Sequence, residues 1–209
     1  MDQILILAFQ VLVLLFSVIV HEVSHGFAAL KLGDTTAKDM GRLTLNPIKH
    51  IDPFGSVILP IMLALIPGNS FILGWAKPVP YNPYNLKNPK LGAGLIGIAG
   101  PLSNLALAVV FSLIFRALLP FVDIPMIAVL AMLLQVIVAT NISLAVFNLV
   151  PLPPLDGSTI LFALLPARWY KLQELLTRYG VWLLIIFIFF GFQLITPIIG
   201  TAYHLLTGL

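Results

Sequence analysis

The 209-residue sequence contains no cysteine. That excludes disulfides, thiolate metal ligands and a cysteine nucleophile together, so any zinc must be held by histidine and carboxylate. Charge is almost as scarce: Asp, Glu, Lys and Arg make up 9% of the chain against 60% hydrophobic residues, and mean hydropathy is +1.06. A soluble domain cannot hide that much apolar surface with so few charges. The composition is that of a polytopic membrane protein, read as one domain over residues 1–209 with little mass outside the bilayer. The net charge of +3 is no sign of a nucleic-acid partner. The basic residues sit at the edges of apolar runs, where membrane topology explains them. A basic leader and a small-residue cleavage site are also missing, so a signal peptide is not expected.

The polar chemistry that does exist is concentrated. From Ile4 to Val20 the chain has no charge, glycine or proline, only Leu, Ile, Val, Phe and Ala with Gln10 and Ser17. That is a membrane-spanning pattern. Its continuation is His21-Glu22-Val23-Ser24-His25, which holds two of the four histidines in the chain. A charge in the middle of a membrane helix costs about 2.5–3.5 kcal/mol on insertion scales, so it is rarely there without a role. Residues four apart on a helix lie about 40° apart around the axis, so His21 and His25 face the same way and can share one metal ion. Glu22 is about 100° round from His21, beside that line, where it can take a proton from water at the metal. This is the HExxH pattern of zinc peptidases. The competing reading is a structural or transport metal site on the same pair.

Topology follows from the cations. Lys31, Lys38, Arg42 and Lys49 lie at or beyond the end of a first span, Ile4 to Leu32, which the positive-inside rule places with that end in the cytoplasm and Met1 outside. At 1.5 Å per residue the HEVSH motif lies roughly 10–15 Å below the cytoplasmic boundary. Residues 35–50 are too polar for a span. The alternation of Arg42-Leu43-Thr44-Leu45 and the turn-like Asp39-Met40-Gly41 predict a small interfacial β-hairpin. Residues 53–73 are apolar but broken by Pro60 and Pro67-Gly68, which predicts a re-entrant or short helical segment. Further spans are expected over Leu91–Leu119, Ile124–Val150 and Tyr179–Leu206, leaving the C-terminus outside. Every lysine and arginine except Arg116 then lies on one side. The expected fold class is an all-α polytopic membrane protein: a bundle of about four full transmembrane helices with the re-entrant segment and the hairpin, in the cell (plasma) membrane.

Gly94, Gly97 and Gly100 recur at every third residue and lead into Pro101-Leu102-Ser103-Asn104. Small residues let another helix approach closely, and Asn104 reads first as interhelical hydrogen-bonding glue. Two histidines leave a catalytic zinc one protein ligand short. Asp2 and Asp123 fall on the wrong side of the membrane, and Asp34, Asp39, Asp52 and Glu174 sit among basic residues at the interface. Asp156 follows an apolar span and Pro151-Leu152-Pro153-Pro154, whose irregular backbone must line a cavity if it lies in the bilayer. It is either the third ligand or the N-cap of the helix that follows; the ligand shortage favours the first.

HEVSH in a first helix, GPLSN in a second and NLVPLPPLDG at the end of a third together resemble the site-2 protease family of intramembrane zinc metalloproteases, over nearly the whole chain. GRLTLNP at 41–47 and HIDPFG at 50–55 are similar to the interfacial region of its small members. The resemblance implies that His21, His25 and Asp156 bind one Zn2+, that Glu22 is the general base, and that Asn148 holds the substrate or the developing oxyanion. It implies transmembrane protein substrates cut within or near their spans. The strand-like Arg42–Leu45 is a candidate edge for an unwound substrate to pair with. No PDZ or CBS domain fits in these residues, so gating by such modules is not expected, and homo-oligomerisation is left open. In another class, a metal transporter would use the His pair as a transit site, but it needs no base at Glu22. A di-iron desaturase-like oxidase needs boxes of histidines, which a total of four excludes.

Overall fold

A computed structural model describes residues 3–58, 62, 65 and 76–209. The first apolar run forms α1, Gln3–Lys31, about 44 Å long at the helical rise. It stops where Gly33 takes a φ of 107°. There the N–H of Asp34 donates to Ala29 O (2.9 Å) and that of Gly33 to Leu30 O (3.1 Å), a Schellman ending that needs glycine at its left-handed position.

The central helix is α3, Pro89–Leu118, reached after a short α2, Thr36–Asp39. The Asn88 side chain caps α3 by accepting from Leu91 N–H (3.1 Å), and Pro89 occupies the first turn, where its missing N–H costs nothing. Helix α4, Pro125–Asn148, runs back beside it and ends before the proline stretch. A short α5, Asp156–Leu164, turns back against α3. Then α6, Tyr170–Ile186, continues through a π-helical turn, Phe187–Gly191, into α7, Phe192–Thr207. Helix α3 packs on α1, α4, α5 and α7.

Among the described residues four helical stretches are long and apolar enough to cross a membrane: Gln3–Lys31, Pro89–Phe121, Pro125–Asn148 and Ala167–Thr207. The last begins well before Tyr179, so the basic stretch Arg168–Arg178 is part of the helix itself. Burial is inverted relative to a soluble protein. Ser17, His21, His25, Asn104, Ser112 and Asn141 are buried, while Ile4, Phe189, Phe190 and Leu194 are more than 70% exposed. Lipid solvates those apolar side chains, and the interior gathers the polar groups that hydrocarbon would leave unsatisfied. The chain is a multi-pass membrane protein.

The interfacial β-hairpin is not formed. Among the described residues there is no strand. Residues 35–50 instead form α2, a turn with Gly41 at φ 62°, and a 3₁₀ turn at Pro47–Lys49. Local bonds absorb the backbone groups that a ladder would need: Arg42 N–H donates to Ala37 O (2.9 Å), and the Asn46 side chain accepts from Ile48 N–H (3.1 Å). Arg42–Leu45 therefore offers no strand edge, and the expected pairing of substrate there falls with the hairpin. Of the expected re-entrant segment, Pro53–Ile58 is a π-helical turn; most of the remainder lies outside the described residues.

Candidate metal centre

Three side chains meet between α1 and the start of α5. Asp156 Oδ2 lies 2.9 Å from His21 Nε2 and 3.3 Å from His25 Nε2. The two imidazole centroids are 4.7 Å apart and nearly perpendicular, at 88°. Both histidines are buried, and a donor atom from each of the three residues lies within 4.8 Å of the others. The helical i, i+4 spacing supplies the histidines, and the chain reversal after Pro151 brings Asp156 back to them.

The outer nitrogens are already occupied. His21 Nδ1 is 2.7 Å from Asn104 Oδ1, and His25 Nδ1 is 2.7 Å from Ile96 O. A carbonyl oxygen only accepts, so each Nδ1 carries a proton, and in the neutral imidazole each Nε2 then presents its lone pair towards Asp156. Asp156 Oδ2 is buried and has no hydrogen-bond partner among the described residues. Two imidazole nitrogens and a carboxylate oxygen thus converge within 4.8 Å of one another. That arrangement fits a cation, and two histidines with one carboxylate are a donor set zinc accepts. Among the described residues no backbone N–H bonds the Asp156 carboxylate, so it does not act as the N-cap.

The glycines of α3 make the approach possible. A Cβ on Gly100 would lie 2.6 Å from atoms of both His21 and His25. One on Gly94 would lie 2.5 Å from Ala163, and one on Gly97 would lie 3.4 Å from Asp156 O. The stripe seats α1 at one end and α5 at the other.

Glu22 points to a different element. Its Oε2 accepts from Val79 N–H (2.9 Å), in a non-helical strap formed by residues 76–82. Arg42 Nη2 holds that strap through Lys77 O (2.8 Å) and Pro78 O (3.2 Å), and Lys77 N–H donates to His50 O (2.8 Å). Burial, then the charge of Asp156, pushes the Tyr81 hydroxyl up from its ordinary pKa, so it stays a neutral phenol near the centre. Asn148, the last residue of α4, donates through Nδ2 to Leu144 O (3.0 Å) of its own helix; no hydrogen bond joins it to the three clustered residues.

Residues 123–190 match the profile described as Peptidase family M50. The chain is 38% identical over 197 residues, 92% of its length and 83% of the relative's, to the Bacillus subtilis (strain 168) protein named "Putative zinc metalloprotease YwhC". The chain belongs to peptidase family M50, the site-2 proteases. By that membership it is a zinc metalloprotease. Two proteins named "Putative zinc metalloprotease Rip2" are similar over less of their length. The one from Mycolicibacterium smegmatis is 33% identical over 68% of this chain and 52% of its own, and the one from Mycobacterium tuberculosis (strain ATCC 25618 / H37Rv) is 32% identical over 79% and 64%. No solved structure matches the chain significantly.

Sequence reasoning missed several parts of this M50 site. It favoured interhelical glue for Asn104, and it named neither the Ile96 carbonyl nor the Val79 amide. The Asn104 contact had a signal: Gly100 and Asn104 are four apart, so the residue that makes room for His21 and the one that bonds it share a face of α3.

Proposed function

We propose that this M50 peptidase is an intramembrane zinc endopeptidase that hydrolyses peptide bonds within or near the transmembrane segments of other membrane proteins, working from the cytoplasmic side of the plasma membrane. One observation carries the reading: His21, His25 and Asp156 converge inside a bundle of membrane-length helices with their donor atoms within 4.8 Å of one another. These three residues would hold the zinc, which when bound would supply Lewis acidity to the attacking water and the scissile carbonyl.

Glu22 is the general base. Val79 N–H engages Oε2 and orients the carboxylate, leaving Oε1 to take a proton from the attacking water and return it to the leaving amine. Asn148 is the donor for the oxyanion. Its Nδ2 bonds the Leu144 carbonyl, and turning the side chain redirects it. The substrate must locally unwind, because a helix engages its own carbonyls in hydrogen bonds. The bilayer excludes bulk water, so the buried polar groups of α1 and α5 provide the polar environment for hydrolysis.

The test is the position of the cut. Purified protein with zinc should cleave single-span substrates to products whose masses place the bond within or just beside the span. Products cut only in soluble loops would contradict the intramembrane reading.

A further inference from the structure

We infer that Asn104 is a positioning residue of the metal centre, which sets the tautomer and ring orientation of His21 as a neutral acceptor whose own polarity is set by Ser17 and Asn141. The inference deepens the proposed function and rests on its reading of His21 as a zinc ligand.

Asn104 is fully buried, with Oδ1 2.7 Å from His21 Nδ1. A primary amide presents an acceptor at one end and a donor at the other, so that contact alone does not say which atom belongs there. The remaining partners decide it. Asn104 Nδ2 donates to the backbone carbonyl of Ser17 (3.2 Å) and to Asn141 Oδ1 (2.8 Å). Asn141 Nδ2 in turn donates to Ile137 O (2.9 Å) and to Ser17 Oγ (3.0 Å). The Ser17 and Ile137 carbonyls can only accept. Reversing either amide would set oxygen against oxygen, so Asn104 must turn its oxygen to His21. His21 then has its proton on Nδ1 and its lone pair on Nε2, the atom that faces Asp156.

The two histidines are handled differently by the same helix. His25 Nδ1 is held by the Ile96 backbone carbonyl, which is present whatever side chain stands there, whereas the His21 contact depends on the side chain at 104. The network spans α1, α3 and α4, so it also sets where the ring stands relative to the bundle. An amide is the acceptor that suits this place. A carboxylate at 104 would add a buried charge to the bundle interior, which is costly, and would make His21 a more basic ligand.

The test is zinc affinity, measured by competition with a chelator on purified protein, with the unfolding temperature of the metal-free form recorded beside it. Asn104→Leu, close in volume but without an acceptor, should weaken zinc binding by about 10–100-fold, the usual effect of losing an outer partner of a ligating histidine. Asn104→Asp, which restores an oxygen to His21, should bind zinc more tightly than Asn104→Leu. Asn141→Leu, which leaves the Asn104 oxygen in place but loosens its hold, should fall between Asn104→Leu and wild type. A merely structural role predicts a lower metal-free unfolding temperature with zinc affinity unchanged in all three, and that result overturns the inference. Equal affinities for Asn104→Asp and Asn104→Leu overturn it as well. If wild type binds no zinc, or binds it equally well after His21→Ala, the metal-centre reading fails and takes this inference with it. Zinc binding that needs His21 but ignores Asn104 overturns this inference alone.

Discussion

Gly100 and His21 share one small space: a methyl group on Gly100 would lie 2.6 Å from both Cε1 and Nε2 of the imidazole. Helix α3 can therefore lie against the ligand face of α1 only while residue 100 has no side chain. Overpacking of this kind typically costs about 1–3 kcal/mol, and here it acts directly on the proposed ligand atom, His21 Nε2. Gly100→Ala should lower the unfolding temperature and weaken zinc binding by about 5–150-fold where that cost falls on the ring of His21, since 1.4 kcal/mol is a factor of ten. Gly200→Ala is the control. Nothing lies within 4 Å of a Cβ there, so it should be neutral or slightly stabilising. Equal zinc affinity in the two variants would contradict the packing argument.

The ligand set makes a sharper division among the acids and histidines. His21→Ala, His25→Ala and Asp156→Ala should each lose bound zinc in purified protein, while Asp52→Ala and Glu174→Ala should retain it. Wild-type stoichiometry in the Asp156 variant would remove Asp156 from the centre.

Most of this architecture was legible in the sequence, and for physical reasons. A helix of apolar residues needs no partner to be recognised, and the i, i+4 pair His21 and His25 carries its geometry within one element. Asp156 could be reached because so few acids exist to choose from. What failed was the alternation at Arg42–Leu45. Four residues of period two cannot specify a strand without a partner strand, and here local turns and a 3₁₀ cap took the backbone groups instead. The glycine run was read as one stripe for one helix. Three-residue steps turn by about −60° around a helix, so Gly94 and Gly100 face different neighbours, α5 and α1. The Val79 contact with Glu22 links residues 57 apart in sequence through a backbone amide, which no side-chain pattern records.

Asp34 is the polar knot that ties the end of α1 to residues 82–85. Its Oδ1 accepts from Thr36 N–H (3.2 Å), Thr36 Oγ1 (2.6 Å) and Asn85 Nδ2 (2.6 Å), and its Oδ2 from Asn82 N–H (2.8 Å). Burial opposes ionisation, but these donors outweigh it and hold the carboxyl below its ordinary value. A depressed folded pKa contributes stability above the unfolded value and loses it as pH falls through the folded one. Thermal unfolding against pH should therefore show an acid-side loss that Asp34→Asn reduces. At neutral pH that variant should be less stable by on the order of 2 kcal/mol. An unchanged neutral stability would show that the knot contributes little.

Orientation in the membrane is checked with reporter fusions. Fusions after Asn46, Tyr84 and Lys171 should report the cytoplasm, and fusions after Val122 and at the C-terminus should report the opposite side. An external signal after Tyr84, with Asn46 still cytoplasmic, would mean that residues 53–73 cross the membrane rather than re-enter it.

The most direct test of the account is Glu22→Gln. Glutamine keeps the side chain's length and an oxygen for the Val79 amide, so it leaves the strap and the proposed ligands His21, His25 and Asp156 in place, but it cannot accept a proton. The account predicts near-normal zinc content and membrane yield, with turnover of a single-span substrate reduced by at least about a hundredfold, the usual cost of losing a general base. Uncleaved substrate should co-purify with the variant, because binding is untouched. Cleavage at the wild-type rate by purified, zinc-loaded Glu22→Gln protein would contradict the mechanism.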